Sequence, residues 1–260
     1  MTKIRIQGIK FDAHSTYQKG AKHAPNLIRE ALHSGSMNLC AENGISIDNK
    51  QIIDVGDYEI ENYFDIETFT LNNLSNCDKL LTLGGDHSIT FPLIRAYQKK
   101  YPKIDILHID AHSDLYDVYE NNIYSHACPF ARIMENKLAI NLVQVGIRTL
   151  NPHQSEQAKK FGVEIHQMKN WKPDNLTTFN NPVYISLDLD GFDPAFAPGV
   201  SHHEPGGLTS RDVISLIQNI KTPIIGADIV EYNPERDFQN MTAFLAAKMT
   251  KEILAKMMEN

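Results

Sequence analysis

Short apolar segments typical of buried β-strands alternate along this chain with segments patterned like amphipathic helices. Strands separated by helices indicate βαβ units, and such units build a parallel sheet with helices on both faces and ligand sites at the carboxyl ends of its strands. The first strand alternates polar and apolar residues, which is typical of an edge or half-buried strand, and Ser88 is the predicted N-cap of the second helix. The predicted strands are residues 3–9, 51–55, 79–83, 104–109, 142–145, 183–187 and 223–229, and the predicted helices are residues 26–32, 88–100, 153–161, 210–220 and 242–258.

The length and composition fit one domain spanning residues 1–260. A chain of 260 residues, 42% of them hydrophobic, can bury a single sizeable core. The formal net charge of -7 disfavours a general nucleic-acid-binding role. The three cysteines form no CxxC pair, which fits a reducing compartment. The sequence has neither an apolar signal-peptide core at its start nor a run of about 18 apolar residues, so we expect a cytoplasmic protein without a membrane partner.

The segment Asp110-Ala-His112-Ser-Asp114 directly follows a predicted apolar strand. In extended backbone, residues two apart point to the same side, so three side chains of metal-ligand type converge beyond the strand end. Charged groups that leave a buried strand must be paired or bound to a metal. A polar loop with a helix cap is the alternative, but the alternation of three ligand types favours a metal site.

A second pair of carboxylates, Asp188 and Asp190, follows the strongly β-prone segment Val-Tyr-Ile-Ser-Leu. Two like charges so close repel each other, so one stays protonated unless a cation lies between them. This pair therefore also indicates a metal site. Asp193 stands before a proline and is predicted to be a turn residue instead.

The third signal is Gly84-Gly85-Asp86-His87-Ser88, again at the end of a predicted strand. The glycines permit tight backbone geometry where the strand passes into a helix. A single histidine is more often structural than a ligand, but His87 becomes a ligand candidate because two other strand ends already offer carboxylates. Asp86 is predicted to support this segment or cap the helix rather than bind a metal.

Six side chains from these three segments could together hold two divalent cations. Their four carboxylates would offset the charge of two such ions, and mixed imidazole and carboxylate ligation suits Mn, Fe, Co or Zn. The absence of thiolates argues against a structural zinc site. Two ions that share a water would lower its pKa and supply a nucleophile at neutral pH. The predicted ligands are His87, Asp110, His112, Asp114, Asp188 and Asp190.

The motifs Gly-Gly-Asp-His-Ser, Asp-Ala-His-Ser-Asp and Ser-Leu-Asp-Leu-Asp-Gly-Phe-Asp-Pro resemble the three signature motifs of the ureohydrolase family, which includes arginase and agmatinase. They occur in the family's order, and residues 19–29 resemble the family's segment before its first helix. The resemblance covers nearly the whole chain. It implies a three-layer α/β/α sandwich around a parallel, mainly eight-stranded sheet, a dimanganese site and a homotrimer or homohexamer.

The resemblance also implies roles for individual residues. One manganese ion would be bound by His87, Asp110, Asp114 and Asp188, and the other by Asp110, His112, Asp188 and Asp190, so that two aspartates bridge the pair. His126, in Tyr-Ser-His-Ala-Cys-Pro-Phe, matches the family's proton-shuttle histidine, with an exposed loop histidine as the alternative. Glu231, in Asp-Ile-Val-Glu-Tyr-Asn-Pro, matches the glutamate that pairs with the substrate guanidinium, whereas Asp228 is predicted to be structural.

The implied reaction is hydrolysis of a small guanidino compound to urea and an amine, and the sequence favours agmatine giving putrescine. Where arginases carry an asparagine two residues beyond the Asp-Ala-His-Ser-Asp motif, this chain has Tyr116, which resembles the agmatinase side of the family. The aspartate that arginases carry soon after a Gly-x-Arg strand end is missing here, where the chain reads Thr-Leu-Asn151. Asp117 and Glu120 could attract the ammonium of agmatine, but solvated loop charges explain them equally well.

Other substrates and classes stay open. The segment Ser-His202-His203-Glu204 departs from the family pattern in its two histidines, and these side chains either tune specificity or lie on the surface. Arginine, guanidino acids and formimidoylglutamate are therefore alternative substrates, and cobalt, iron or zinc could replace manganese. A deacetylase-like zinc amidohydrolase needs one metal, whereas His87 and Asp190 add ligands for a second. The complete ligand set argues against an inactive binding module.

Overall fold

The computed structural model describes residues 2–172 and 178–259. Across these residues eight strands form one sheet in which every neighbouring pair is parallel. The strands are β1 (Ile4–Lys10), β2 (Ile52–Glu59), β3 (Lys79–Leu83), β4 (Asp105–Ile109), β5 (Asn141–Ile147), β6 (Glu164–Gln167), β7 (Val183–Asp188) and β8 (Ile224–Val230). Their order across the sheet is β2-β1-β3-β8-β7-β4-β5-β6, which confirms the predicted parallel, eight-stranded α/β fold.

The α-helices of the described residues lie in two layers, one on each face of the sheet. On one face are α1 (Ala24–Leu32), α6 (Ser210–Asn219) and α7 (Met241–Met258). On the other are α2 (Asp65–Leu74), α3 (Thr90–Lys100), α4 (Pro129–Glu135) and α5 (Pro152–Phe161). Within the described part of the chain, none of the helices combines the length and apolar character that a bilayer span requires.

The alternation of side chains along each strand divides the core between these two layers. Leu80 of β3 and Ile106 of β4 pack on the α3 side of the sheet, whereas Leu81 and Leu107 pack on the α7 side. All four are fully buried. Burial of one such side chain contributes about 1.5–3 kcal/mol to the stability of the folded state. The strands therefore hold the residues that follow them in fixed positions.

The first strand differs from its prediction, because β1 lies inside the sheet between β2 and β3. Its polar residues are hydrogen-bonded within the protein rather than exposed at an edge. Gln7 donates to the hydroxyls of Thr70 and Thr82, each at 3.1 Å, and Arg5 donates to Asn73 at 3.0 Å. The polar and apolar alternation of this strand therefore reflects buried hydrogen bonds to α2 and β3.

The start of α3 also differs from its prediction. A 3-10 turn, His87–Ile89, precedes the helix, and Asp86 caps this turn by accepting a hydrogen bond from the backbone N–H of Ser88. Ser88 is therefore not the N-cap of α3, a position that Ile89 occupies without a side-chain cap bond among the described residues. The capping role predicted for Asp86 is confirmed. The elements α2, α4 and β6 are absent from the sequence-based assignment.

Four neighbouring strands, β3, β8, β7 and β4, carry the candidate site. Because parallel strands end at the same edge of a sheet, residues that follow them meet even when they are far apart in sequence. β3 leads to His87, β8 to Glu231 and β4 to Asp110, while β7 ends at Asp188. The topology therefore assembles one site at the centre of the sheet.

Candidate active site

The first group of ligand atoms gathers around the ring nitrogen Nδ1 of His87. One carboxylate oxygen from each of Asp110, Asp114 and Asp188 lies 3.1 Å from this nitrogen. All four side chains are buried. The four residues predicted to bind one ion therefore converge on one point.

The second group lies beside the first and opens toward a cavity. His112 Nδ1 lies 3.0 Å from Asp190 Oδ2 and 3.4 Å from Asp110 Oδ1. Asp110 thus spans both groups, since its other oxygen, Oδ2, faces His87. Asp188 reaches the first group with Oδ2, while its Oδ1 accepts from the backbone N–H of Asp190 at 2.7 Å. The bridging role implied for Asp110 fits this geometry, and that of Asp188 stays a prediction.

The donor atoms present here fit divalent metal ions. His87 Nδ1 is buried and makes no hydrogen bond with any described residue, although three carboxylate oxygens surround it. The other ring nitrogen, Nε2, lies 2.9 Å from Ser186, whose hydroxyl donates to Asp228 at 2.7 Å. Because the Ser186 proton is committed to Asp228, Nε2 carries a hydrogen, so Nδ1 is the nitrogen that can present a lone pair to a cation. A buried lone pair among carboxylates matches the mixed ligation that Mn, Fe, Co or Zn prefers.

The charges of the aspartates also favour a cation at this place. Burial, together with the charges of Asp190 and Asp110, raises the pKa of Asp188 well above its usual range. Burial raises the pKa of Asp190 to about 6, with Asp110 acting in the same direction and His112 against it. Raised carboxyl pKa values mean that the ionised forms repel one another in a poorly solvated site. A cation between them would remove that repulsion.

Glu231 and His126 contact each other beside the ligand groups. Glu231 Oε1 accepts from the backbone N–H of His87 at 2.8 Å and lies 3.1 Å from His126 Nδ1. Burial lowers the pKa of His126, but the hydrogen bond and charge of Glu231 outweigh it and raise the pKa to about 9. The contact with Glu231 therefore favours the protonated form of the His126 ring. His126 is buried rather than an exposed loop histidine, and its catalytic role and that of Glu231 stay predictions.

Two residues of the site adopt a left-handed backbone conformation. The angle φ is 48° at Asp114 and 62° at Glu231. This conformation costs about 1–2 kcal/mol for a residue with a side chain, so the surrounding structure must impose it. Gly85 supplies part of that structure. Its carbonyl accepts from the Glu231 N–H at 2.9 Å, and a Cβ on Gly85 would lie 1.7 Å from the carbonyl oxygen of Phe11.

Above the six predicted ligands, which we call the floor of the site, lies a cavity of about 200 Å³. Thr16, His202 and Glu204 contribute side chains to its wall, and we call the two segments that carry them, residues 12–20 and 200–207, the rim. Pockets for drug-sized ligands measure roughly 300–1,000 Å³, so this cavity suits a smaller molecule. A small-molecule substrate is therefore consistent with the space available.

Arg148 links the rim to the floor through hydrogen bonds from its guanidinium to backbone carbonyl oxygens of both. Asp193 also holds the rim segment of residues 200–207, because its carboxylate accepts from the backbone N–H groups of Gly206 at 2.7 Å and Gly207 at 3.1 Å. The predicted turn role of Asp193 is confirmed by a separate contact, since its backbone carbonyl accepts from the N–H of Phe196 at 2.8 Å. Two side chains therefore fix residues 200–207 through backbone hydrogen bonds. The guanidinium of Arg148 donates to the carbonyl oxygens of Gly146, Asp190, Gly191, Phe192 and Glu204.

The two histidines of the rim have different surroundings. The ring of His202 lies 5.3 Å from the ring of His126 and lines the cavity, as does Glu204. His203 is exposed, and its Nε2 lies 2.7 Å from the carbonyl oxygen of Pro198. The geometry therefore favours a specificity role for His202 and Glu204 and a surface role for His203.

Several residues of the site are not identified by the sequence analysis. His108 is fully buried on β4, and its Nε2 lies 2.7 Å from Asp110 Oδ2. Gln144 donates to its Nδ1 at 3.0 Å, so the hydrogen on Nε2 points to the carboxylate. The period-two alternation of the Asp-Ala-His-Ser-Asp motif extends back to His108 and could have revealed it. Thr16 and Arg148 carry no such signal, because their partners lie far along the chain.

Known proteins are similar to this chain in sequence and in fold. The sequence model of the arginase family matches residues 2–255. Mitochondrial arginase from Medicago truncatula is 45% identical over 274 residues, which cover 97% of this chain and 81% of that protein. Agmatinase from Bacillus cereus is 32% identical over 268 residues, which cover 97% of this chain and 91% of that protein. The solved structure of arginase from Medicago truncatula superimposes with a TM-score of 0.93 at 42% identity, covering 98% of this chain and 87% of that one.

The fold and the site together define the class of metal-dependent hydrolases with an α/β fold whose ligands lie at the carboxyl edge of a parallel sheet. Within that class, this chain belongs to the arginase family, the ureohydrolases. The two groups of histidine and aspartate side chains correspond to the binuclear metal site of that family, and the protein is an enzyme that acts on guanidino compounds.

Proposed function

We propose that this protein hydrolyses L-arginine to L-ornithine and urea. The observation that carries the substrate assignment is the 45% identity to an arginase, against 32% to an agmatinase, over nearly the same part of the chain. Agmatine, which the sequence analysis favours, is thereby less well supported than its alternative. The two differ by the α-carboxylate of arginine, so the far end of the cavity decides between them.

The environment of Tyr116 supports recognition of a carboxylate. Asn151 caps α5 through its Oδ1, which accepts from the backbone N–H of Gln154 at 2.9 Å. Its amide nitrogen must therefore point the other way, where it donates to the Tyr116 hydroxyl. Tyr116 lines the cavity and can donate its own proton to a ligand. The nearby N-terminus of α5 also favours a negative charge. The two departures from the arginase pattern thus form one hydrogen-bonded pair suited to a carboxylate.

Glu204 supports recognition of the α-ammonium group. It lines the same cavity, and Arg148 holds its backbone at 2.8 Å. An acidic side chain held in this way can pair with an ammonium without first being ordered, which lowers the entropy cost of binding. Glu204 also suits the ammonium of agmatine, so Tyr116 rather than Glu204 is the discriminating contact.

The metal ions of this proposal are two manganese ions, held by the six floor residues, with cobalt, iron or zinc as alternatives. When bound, such ions would activate water as the nucleophile and stabilise charge that develops on the guanidinium group. Glu231 orients the guanidinium through N–H···O hydrogen bonds. His126 donates a proton to the leaving amine, either directly or through water, as the bond between carbon and the side-chain nitrogen breaks. A homotrimer or homohexamer and a cytoplasmic location stay predictions.

The decisive experiment is a urea-release screen with manganese-loaded protein. The substrates are arginine, agmatine, guanidinobutyrate and guanidinopropionate, with formamide release measured for formimidoylglutamate. We expect kcat/KM for arginine to exceed that for agmatine by at least about 10-fold, the effect of roughly 1.4 kcal/mol from the carboxylate contacts. A preference for agmatine would refute the substrate assignment. Elemental analysis should give two ions per chain, and a single ion would favour a deacetylase-like site.

The role of His126 is tested by His126→Ala. Because general acid–base groups contribute about 10²–10⁴-fold, we expect kcat to fall by roughly that factor. The variant should retain two manganese ions, since His126 is not among the floor residues. Loss of metal instead would assign His126 a structural role.

A further inference from the structure

The rim segment of residues 12–20 is fixed against the loop that carries His126. The backbone N–H of His14 donates to the Asp86 carboxylate at 3.0 Å. The His14 carbonyl in turn accepts from the backbone N–H of His126 at 3.3 Å. Asp86 caps the turn that holds His87, so this segment is anchored to the floor and to the His126 loop at once.

Thr16 extends this contact to the His126 side chain. Its hydroxyl oxygen lies 2.9 Å from Nε2 of His126, while Glu231 Oε1 lies 3.1 Å from Nδ1. The ring is therefore held at both nitrogens, and all three residues line the cavity. We propose that Thr16 is a positioning residue for His126, holding Nε2 as the nitrogen that exchanges a proton with the substrate. This inference rests on the proposed function.

The chemistry of the two partners identifies the exchanging nitrogen. An ionised carboxylate can only accept a hydrogen bond, so Nδ1 keeps its hydrogen against Glu231 in both the charged and the neutral ring. The proton that the ring gives up must then come from Nε2. A hydroxyl accepts from Nε2–H of the imidazolium and donates to the lone pair of the neutral ring. Thr16 can therefore be hydrogen-bonded to His126 both before and after Nε2 gives up its proton, which a carboxylate or an ammonium could not.

The first test compares Thr16→Val with Thr16→Ser in manganese-loaded enzyme. Valine keeps the shape of threonine without its hydroxyl, whereas serine keeps the hydroxyl. We expect Thr16→Val to lower kcat about 10-fold, the effect of one lost hydrogen bond that orients a catalytic group. KM should change by less than about 3-fold, because Thr16 acts through His126 rather than on the binding of the substrate. Thr16→Ser should stay within about 3-fold of the natural protein, as expected where the hydroxyl is retained.

Ser15→Ala is the matched control. It removes a hydroxyl from the neighbouring residue, whose Oγ lies 3.4 Å from Asp86 and which contacts a different partner from Thr16. We expect its kcat to fall clearly less than that of Thr16→Val, because Ser15 does not line the cavity and its side chain contacts Asp86 rather than His126. An equal loss in Ser15→Ala and Thr16→Val would mean that the whole segment is disturbed, which would overturn the proposal.

The second test follows the His126 ring directly by NMR in protein loaded with diamagnetic zinc. In the natural protein the neutral ring should carry its hydrogen on Nδ1. Hydrogen bonds from a charged donor are the stronger ones, so loss of the hydroxyl should disfavour the imidazolium and lower the pKa of His126 by roughly 0.5–1 pH unit in Thr16→Val. Thr16→Ser should titrate like the natural protein, and the pH profile of kcat/KM should shift in the same direction.

The outcomes separate this inference from the proposed function. An unchanged His126 titration in Thr16→Val, or a Thr16→Ser variant as impaired as Thr16→Val, would overturn the positioning role even in an active arginase. Absence of urea release from every guanidino substrate would instead overturn the proposed function, while the NMR titration would still support the contact between Thr16 and His126.

Discussion

The floor and the rim of this site are positioned in different ways. Each floor residue lies at or just beyond the end of a central strand, so the sheet itself determines where its side chain points. The rim consists of loops that are held by single side chains, chiefly Arg148 and Asp193, through hydrogen bonds to backbone groups. The floor gathers charges that repel one another without a cation, whereas the rim is fixed by protein contacts alone. Metal binding should therefore depend on the floor, and substrate choice on the rim together with Tyr116.

The largest effect is expected from a change in the floor. Asp110→Asn leaves the volume nearly unchanged but removes the charge of the carboxylate that spans both ligand groups. Loss of a residue that supports a metal ligand lowers metal affinity or activity about 10–100-fold. Loss of this carboxylate, itself a predicted ligand, should therefore lower kcat/KM by more than roughly 100-fold. The metal content should fall below two ions per chain. Asp48→Asn, at an exposed loop position, is the control, and two tightly bound ions in Asp110→Asn would contradict the division between floor and rim.

A smaller effect is expected from Arg148→Lys, which loosens the contact between rim and floor. Lysine keeps the charge but cannot reach the several carbonyl oxygens that the guanidinium contacts. Unsatisfied carbonyls should lower the free energy of unfolding by about 2 kcal/mol and the Tm by roughly 5 °C. We expect kcat/KM to fall about 10-fold, which corresponds to a loss of about 1.4 kcal/mol in transition-state stabilisation. Both ions should be retained. The comparison is with Arg211→Lys on the surface; a full loss of metal in Arg148→Lys would mean that the rim also holds the floor in place.

Within the rim, Glu204→Gln should affect substrate binding alone. Loss of the charge that is proposed to face the α-ammonium should raise KM for arginine about 1.5–5-fold, the range for a partly exposed ion pair. Because the same contact is present before and during the reaction, kcat should hardly change. Steady-state kinetics separate the two quantities, with Asp117→Asn as a matched loop control. A fall in kcat at constant KM would show that Glu204 acts on the chemical step instead.

The smallest effects are expected from the two rim histidines, taken as a pair. His203→Ala should leave kcat/KM within about 2-fold, because surface substitutions change free energies by at most about 0.5 kcal/mol. His202→Ala should lower kcat/KM by roughly 3-fold or more, since its ring packs near His126 in the wall of the cavity. Parallel kinetics on the two variants test the assignment directly. Equal effects would mean that the rim does not discriminate between these neighbours.

The same contrast explains what could be predicted from the sequence. The floor is predictable because its ligands follow apolar strands at a spacing of two residues, which is a local pattern with a geometric meaning. The rim is not, because Arg148 and Thr16 act on partners distant in the chain. The burial of β1 also escapes prediction, since Thr70, a hydrogen-bond partner of Gln7, belongs to α2, an element without a clear apolar pattern. Substrate choice is equally hard to predict from the sequence, because the role of Tyr116 depends on its hydrogen bond with Asn151, which lies far along the chain.

The insertion of β8 between β3 and β7 has a consequence for how the protein matures in the cell. During translation β3 and β7 both leave the ribosome before β8, the strand that lies between them. Until β8 follows, the facing edges of β3 and β7 are unpaired. Such distant pairing makes folding slow compared with helical proteins of similar stability. We therefore expect the floor residues to come together only after β8 has been translated, and a chain arrested before β8 to leave an unpaired sheet edge exposed.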